Sequence, residues 1–254
     1  MKNYKVIADF DEVKKMIDLF PELLPSEVFF LSLSARKKYL TESEREIYNV
    51  NRAEMFDRVI VREKSYEKFH KIMSRMETNV EGFTTKSGMS YPESCVVTYI
   101  NINPSSMLKA NAEYMAKINH YTFEMTQALL NGKRCDSIMK KFSKLDVELM
   151  NCIQRCRGQK KFIDIDFDID KTKEFEVLEN FINFMKENDI TYHVIETKSG
   201  YHVLMERSTI NCNFYKKVAE LHELVNDEVI VNKNEMIPCP GTLQGGHLVR
   251  FLDM

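Results

Sequence analysis

Lys161-Phe-Ile-Asp-Ile-Asp-Phe-Asp-Ile-Asp170 is the stretch whose reading decides the fold. From Ile163 onward apolar and acidic residues alternate, which is the period of an extended strand. Ile163, Ile165, Phe167 and Ile169 then share one face, suited to a core, while Asp164, Asp166, Asp168 and Asp170 share the other. Like charges at two-residue spacing repel, so the acidic face needs raised carboxyl pKa values or a nearby cation. Hard divalent metals such as Mg²⁺ take carboxylate oxygens, and same-face neighbours on a strand can bracket one. The plainer alternative is an acidic edge strand that resists edge-to-edge pairing.

C-terminal to this strand the period changes. Asp170 is placed to cap a helix in which Phe175, Leu178, Ile182 and Met185 recur at helical spacing, ending near Asn188. Two short strands follow, residues 191–195 and 201–205, joined by Glu196-Thr-Lys-Ser-Gly200. A second helix from about Asn213 carries Phe214, Val218, Leu221 and Val225 on one face, and residues 228–232 read as a last strand. The order β-α-β-β-α-β predicts a ferredoxin-like or RRM-like unit with its first strand between the third and the fourth, antiparallel to both. His202 joins the acidic face if Tyr201, Val203 and Met205 face the helices; Glu228 does so if Val229 and Val231 point inward. Carboxylates for a metal, with His202, Ser199, Lys198 and turn N–H groups as phosphate donors, describe a nucleoside triphosphate site.

Upstream, Gly158 in Arg157-Gly-Gln-Lys-Lys161 is expected to close a helix in the left-handed conformation. Residues 106–157 have helical spacing and are rich in methionine, a sign of adaptable packing. Cys95-Val-Val-Thr-Tyr-Ile-Asn-Ile-Asn103 reads as a strand stopped at Pro104. Before it lie a helix over 10–20 capped by Asp9, a strand in Glu27-Val-Phe-Phe-Leu-Ser-Leu-Ser34, a strand over 59–62, and a helix over 66–76. Ala35-Arg-Lys-Lys-Tyr39 sets cations beside an aromatic ring, either to hold phosphates or as a solvated face. The expected class is α+β: a βαββαβ core over 95–254 with a helical insertion over 106–157, and an α/β region over 1–94 packed on it.

A chain of 254 residues buries a substantial core without staples. Its six cysteines form no Cys-x-x-Cys pair, which argues against a zinc ribbon or a disulfide framework. No apolar run approaches the roughly 18 residues of a membrane span. Charges at Lys2, Lys5, Asp9 and Asp11 leave no room for a signal-peptide core, so a reduced, cytoplasmic setting without membrane contact is expected. At a net charge of −2, nucleic-acid contact would have to come from local basic clusters.

These residues resemble the archaeo-eukaryotic primase, or primase-polymerase, superfamily in its phage and plasmid form. Its core carries an Asp-x-Asp strand, a Ser/Gly-x-His segment and a third acidic residue. Asp164-Ile-Asp166 resembles the first, Ser199-Gly-Tyr-His202 the second, and Glu228 or Asp227 stands where the third is expected. Ile237-Pro-Cys-Pro-Gly-Thr-Leu-Gln-Gly-Gly-His-Leu-Val-Arg-Phe251 resembles the Pro-Gly stretch that follows, and Asn101-Ile-Asn-Pro104 a turn that precedes the core. The resemblance spans residues 95–253.

It implies a template-dependent nucleotidyltransferase that makes or extends primers from NTPs or dNTPs. Asp164 and Asp166, with Glu228 or Asp227, would hold Mg²⁺ or Mn²⁺, and His202 would join Asp164 and Asp166 as a catalytic residue. Lys198, Ser199, His202 and Arg250 would bind the nucleotide, with Thr242 and Gln244 near it or near the primer. Arg36, Lys37 and Lys38 would touch a single-stranded DNA template or a phosphate, and a separate replicative helicase would be the partner. A metal-dependent nuclease would use the same carboxylates. A catalytically silent binding module would instead display aromatic residues on its sheet.

Overall fold

The computed structural model describes residues 4–48, 54–78, 91–169, 171, 175–225, 229–231 and 235–254; Asp170, Asp227 and Glu228 lie outside them. In chain order the first elements are α1 (Phe10–Leu19), β1 (Glu27–Ala35), α2 (Glu42–Tyr48), β2 (Glu54–Val61), α3 (Tyr66–Thr78), β3 (Val96–Asn101) and β4 (Ser105–Ser106). A helical arm follows, made of α4 (Met107–Leu130), α5 (Asp136–Phe142) and α6 (Leu145–Arg155). Next come β5 (Phe162–Phe167), α7 (Phe175–Glu187), β6 (Tyr192–Glu196), β7 (Tyr201–Glu206), α8 (Cys212–Val225) and β8 (Val229–Val231). The chain closes with β9 (Met236–Pro238), β10 (Leu243–Gln244), β11 (His247–Leu248) and β12 (Arg250–Leu252). The architecture is mixed α+β, with antiparallel pairing throughout two sheets.

β1 is the spine of the first sheet. All nine of its residues are buried, because both of its faces are covered. Phe29, Leu31 and Leu33 meet Met16 and Ile17 of α1 and Phe69 and Met73 of α3. On the opposite face Val28 and Phe30 lie under Ala110 of α4 and Cys152 and Ile153 of α6. α1 starts where expected, with the Asp9 carboxylate accepting from the Asp11 N–H at 2.9 Å. β2 and β3 flank β1, β4 also pairs with it, and β9 and β10 return from the C-terminal part of the chain to pair with β3. The division at residue 94 therefore does not follow the sheets, since 96–101 and 236–248 build the first one.

The second sheet has the order β12-β6-β7-β5-β8. β5 lies between β7 and β8, antiparallel to both, as the β-α-β-β-α-β order requires. Ile165 and Phe167 of β5 and Val203 and Met205 of β7 face α7 and α8, burying Leu178, Phe181, Ile182, Met185 and Phe214. Burying each of these large side chains contributes roughly 1.5–3 kcal/mol. The opposite face, which carries the aspartates, is covered as well. Phe162, Ile195 and Leu204, from the same face as the aspartates, join the core of the first sheet. Asn103 ties the two sheets together: its Oδ1 accepts from the Lys161 and Phe162 N–H groups at 2.8 and 2.9 Å, and its Nδ2 donates to the Phe162 carbonyl at 2.9 Å. Gly158 is not left-handed. It is glycine because an added Cβ would collide with the Glu27 carboxylate, which accepts from the Gln159 N–H at 2.6 Å.

Candidate functional site

Between the sheets, where β5 and β7 meet β1, lies a cleft of about 400 Å³. Its roof is built on the register of β5 with β7, which sets Asp166 opposite His202. The imidazole stands between two carboxylates: Nδ1 lies 2.9 and 3.2 Å from the Asp164 oxygens, and Nε2 lies 3.7 Å from an Asp166 oxygen. The Asp164 side chain is 0% exposed and His202 7%, whereas Asp166 is 34% exposed into the cleft. Burial works against the imidazolium, yet the Asp164 charge and hydrogen bond, with Asp166 behind them, outweigh it and hold His202 above its ordinary value of 6.5. Burial, and then the Asp164 and Asp168 charges, raise Asp166 above the ordinary carboxyl value against the pull of His202 and Lys38. Part of the cation demand of the acidic strand is thus met from within the chain. Asp164 is closed over by His202, and Asp166 and Asp168 are the carboxylates that line the cleft.

The turn after β6 supplies the next wall. Thr197 and Ser199 line the cleft, and the Thr197 N–H donates to the Gly200 carbonyl at 3.0 Å. Gly200 packs against the end of β5, where a Cβ would collide with the Phe167 carbonyl oxygen. Lys198, expected to bind phosphate, is used otherwise. Its ammonium donates to the Gly245 carbonyl at 2.8 Å and lies 5.2 Å from the Tyr39 ring centroid, so it staples the turn to the hairpin of β10 and β11. Arg250 does not line the cleft either. It sits on β12 at the sheet edge, its Nε donating to Glu196 at 2.9 Å. Thr242 is buried in a turn, its hydroxyl donating to the Cys239 carbonyl at 2.7 Å. Gln244 does reach the cleft, accepting from the Lys198 N–H at 2.6 Å and donating to the Tyr39 hydroxyl.

The floor is the first sheet. Arg36, Lys38 and Tyr39 face the acidic roof, with the Arg36 guanidinium 5.6 Å from the Tyr99 ring centroid, while Lys37 is exposed and does not line the cleft. Burial pushes the Tyr39 hydroxyl well above its ordinary value and raises that of Tyr99, so both stay protonated. Ser32, Ser34, Tyr99 and Gln154 line the cleft as well, although nothing in their local pattern assigns them a function. One signal was available for the serines: Ser32, Ser34 and Arg36 are polar at every second position of an otherwise apolar strand, which places one polar strip on a single face.

No family model, curated protein or solved structure matches the chain. Among the described residues no group of three or more His, Cys, Asp or Glu side chains is placed to hold a metal ion, and Asp227 and Glu228 fall outside them. A three-residue cage is not the only fit. Mg²⁺ is commonly held by one or two carboxylates together with substrate phosphates, and Asp166 and Asp168 offer two beside a cationic wall. Among the described residues no helix is long and apolar enough to cross a membrane.

Proposed function

We propose that the cleft is the active site of a template-dependent nucleotidyltransferase of primase-polymerase type, built on an RRM-like βαββαβ core. The observation that carries this reading is the meeting, across one cleft, of Asp166 and Asp168 with Arg36, Lys38, Ser199 and a His202 held by Asp164. Carboxylates for a divalent ion opposite cations and donors for phosphate are what phosphoryl transfer requires of a protein, because the chemistry rests on positioning and charge neutralisation.

Asp166, with Asp168 beside it, would hold Mg²⁺ or Mn²⁺. That ion, when bound, activates a 3′-hydroxyl and offsets charge on the departing pyrophosphate. His202 and Ser199 donate to phosphate oxygens, and the Asp164 carboxylate fixes the ring for that task. Arg36 and Lys38 neutralise the phosphates from the opposite wall, in place of the Lys198 and Arg250 expected there. A single-stranded DNA template and a separate helicase remain the partners that fit this role.

The test is incubation with single-stranded DNA template, labelled NTPs or dNTPs, and Mg²⁺ or Mn²⁺. Template-dependent product that falls at least about 100-fold in Asp166→Ala supports the reading. Strand cleavage without synthesis would make the protein a nuclease, and DNA binding with neither activity would make it a silent module.

A further inference from the structure

β1 turns the alternate side chains of Ser32 and Ser34 to the cleft, and Arg36 follows just beyond its end. Each serine is 2% exposed, yet among the described residues no hydrogen bond engages either hydroxyl. Neither oxygen is sealed in the core without a partner, so both open onto the cleft. Hydroxyls on residues this deeply buried are normally satisfied, and two open ones side by side point to a polar ligand.

Strand register gives the cleft a direction. Ser32 pairs with Tyr99, which pairs with Pro238, and Met236 lies two residues further along β9. In the other direction Ser34 is level with Gln244, through Val97, and Arg36 and Lys38 follow. Gln244 holds the Lys198 N–H, next to Ser199. The cleft therefore runs from a cationic end, through two hydroxyls, to an uncharged end. A nucleotide has the same order of phosphates, sugar and base.

We propose that Ser32 and Ser34 bind the sugar hydroxyls and that the cleft selects ribonucleotides; this rests on the nucleotide reading above. Same-face residues on a strand lie about 6.6 Å apart. A vicinal diol bridges that span with a hydrogen bond of about 2.8 Å at each end. Serine and ribose hydroxyls each donate and accept, so the match is satisfied in either sense. A 2′-deoxy sugar leaves one serine facing the ligand without a partner, and that difference is the discrimination.

The test is calorimetric titration of the full chain, in Mg²⁺, with the four ribonucleoside triphosphates and their four deoxy counterparts. The wild type should favour the best-bound ribonucleotide over its deoxy form by roughly 10-fold or more. Ser32→Ala with Ser34→Ala should abolish that preference, with ribonucleotide affinity falling more than deoxynucleotide affinity, since the deoxy sugar loses only the contact of its 3′-hydroxyl. The Ser→Cys pair, which keeps the site filled and leaves only a weak S–H donor, should do the same, which separates a lost hydrogen bond from lost packing, and matching thermal melts establish that the variants fold. Equal affinity for the two sugars in the wild type, or a preference that survives both pairs of substitutions, overturns the ribose assignment alone. A wild-type protein that binds none of the eight overturns the nucleotide site itself, and this inference with it.

Discussion

His202 is an imidazole buried between two carboxylates, and its charge state follows from them. Its folded pKa is raised, so the stability it contributes is fully present below pH 6.5 and is lost as pH rises through the folded value. The stability advantage of the wild type over His202→Gln should therefore be largest below pH 6.5 and shrink above it. Urea unfolding of the metal-free protein across that range measures this directly, and an advantage that grows with pH would contradict the assignment. Asp164→Asn removes the leading opposite charge. NMR titration should then show the imidazole losing its proton at a lower pH than in the wild type, while an unchanged titration would mean that Asp164 does not set it.

At the scale of elements, two joints hold the roof of the cleft in place. Gly200 lets the turn after β6 close against the end of β5. Gly200→Ala should cost about 1–3 kcal/mol of stability by overpacking and should weaken nucleotide binding by displacing Ser199. An unaltered urea midpoint would show that the contact gives way without cost. Asn103 satisfies three backbone groups where β5 begins. Asn103→Ala should cost at least about 2 kcal/mol, since those groups stay buried and unpaired. Hydrogen exchange at the Phe162 amide checks this: protection should fall there before it falls in α7, and protection equal to the wild type would remove Asn103 from the role.

These joints also show what the sequence made legible. The period-2 alternation of 163–169 and the helical spacing of Leu178, Ile182 and Met185 fix side-chain direction locally, so Ile165, Phe167 and His202 could be assigned to faces from the chain alone. Lys198 and Arg250 could not. Their partners, Gly245 and Glu196, are brought to them by the β10–β11 turn and by the pairing of β12 with β6, and no local period records either contact. Ser32 and Ser34 escape local reading for a related reason: their polar strip lines a cleft only when the second sheet closes over it.

At the scale of the molecule, the cleft exists because residues from both ends of the chain build the first sheet. β3 pairs with β1, and β9 and β10 pair with β3. A fragment of residues 95–254 would leave β3 without β1 and expose Ile100 and Ile102, which are 1% and 0% exposed in the whole chain. Such a fragment should lack a cooperative thermal transition, and a sharp two-state melt would restore the division at residue 94. The acidic strand thus lines one side of the cleft and the β1 strip the other. The most direct test of that pairing is a crystal grown with a nucleoside triphosphate and Mn²⁺, with the ion located by its anomalous scattering. The account predicts Mn²⁺ at about 2.1 Å from an Asp166 oxygen, with the triphosphate running toward Arg36 and Lys38. A nucleotide bound outside the cleft, or an ion remote from Asp166, would contradict it.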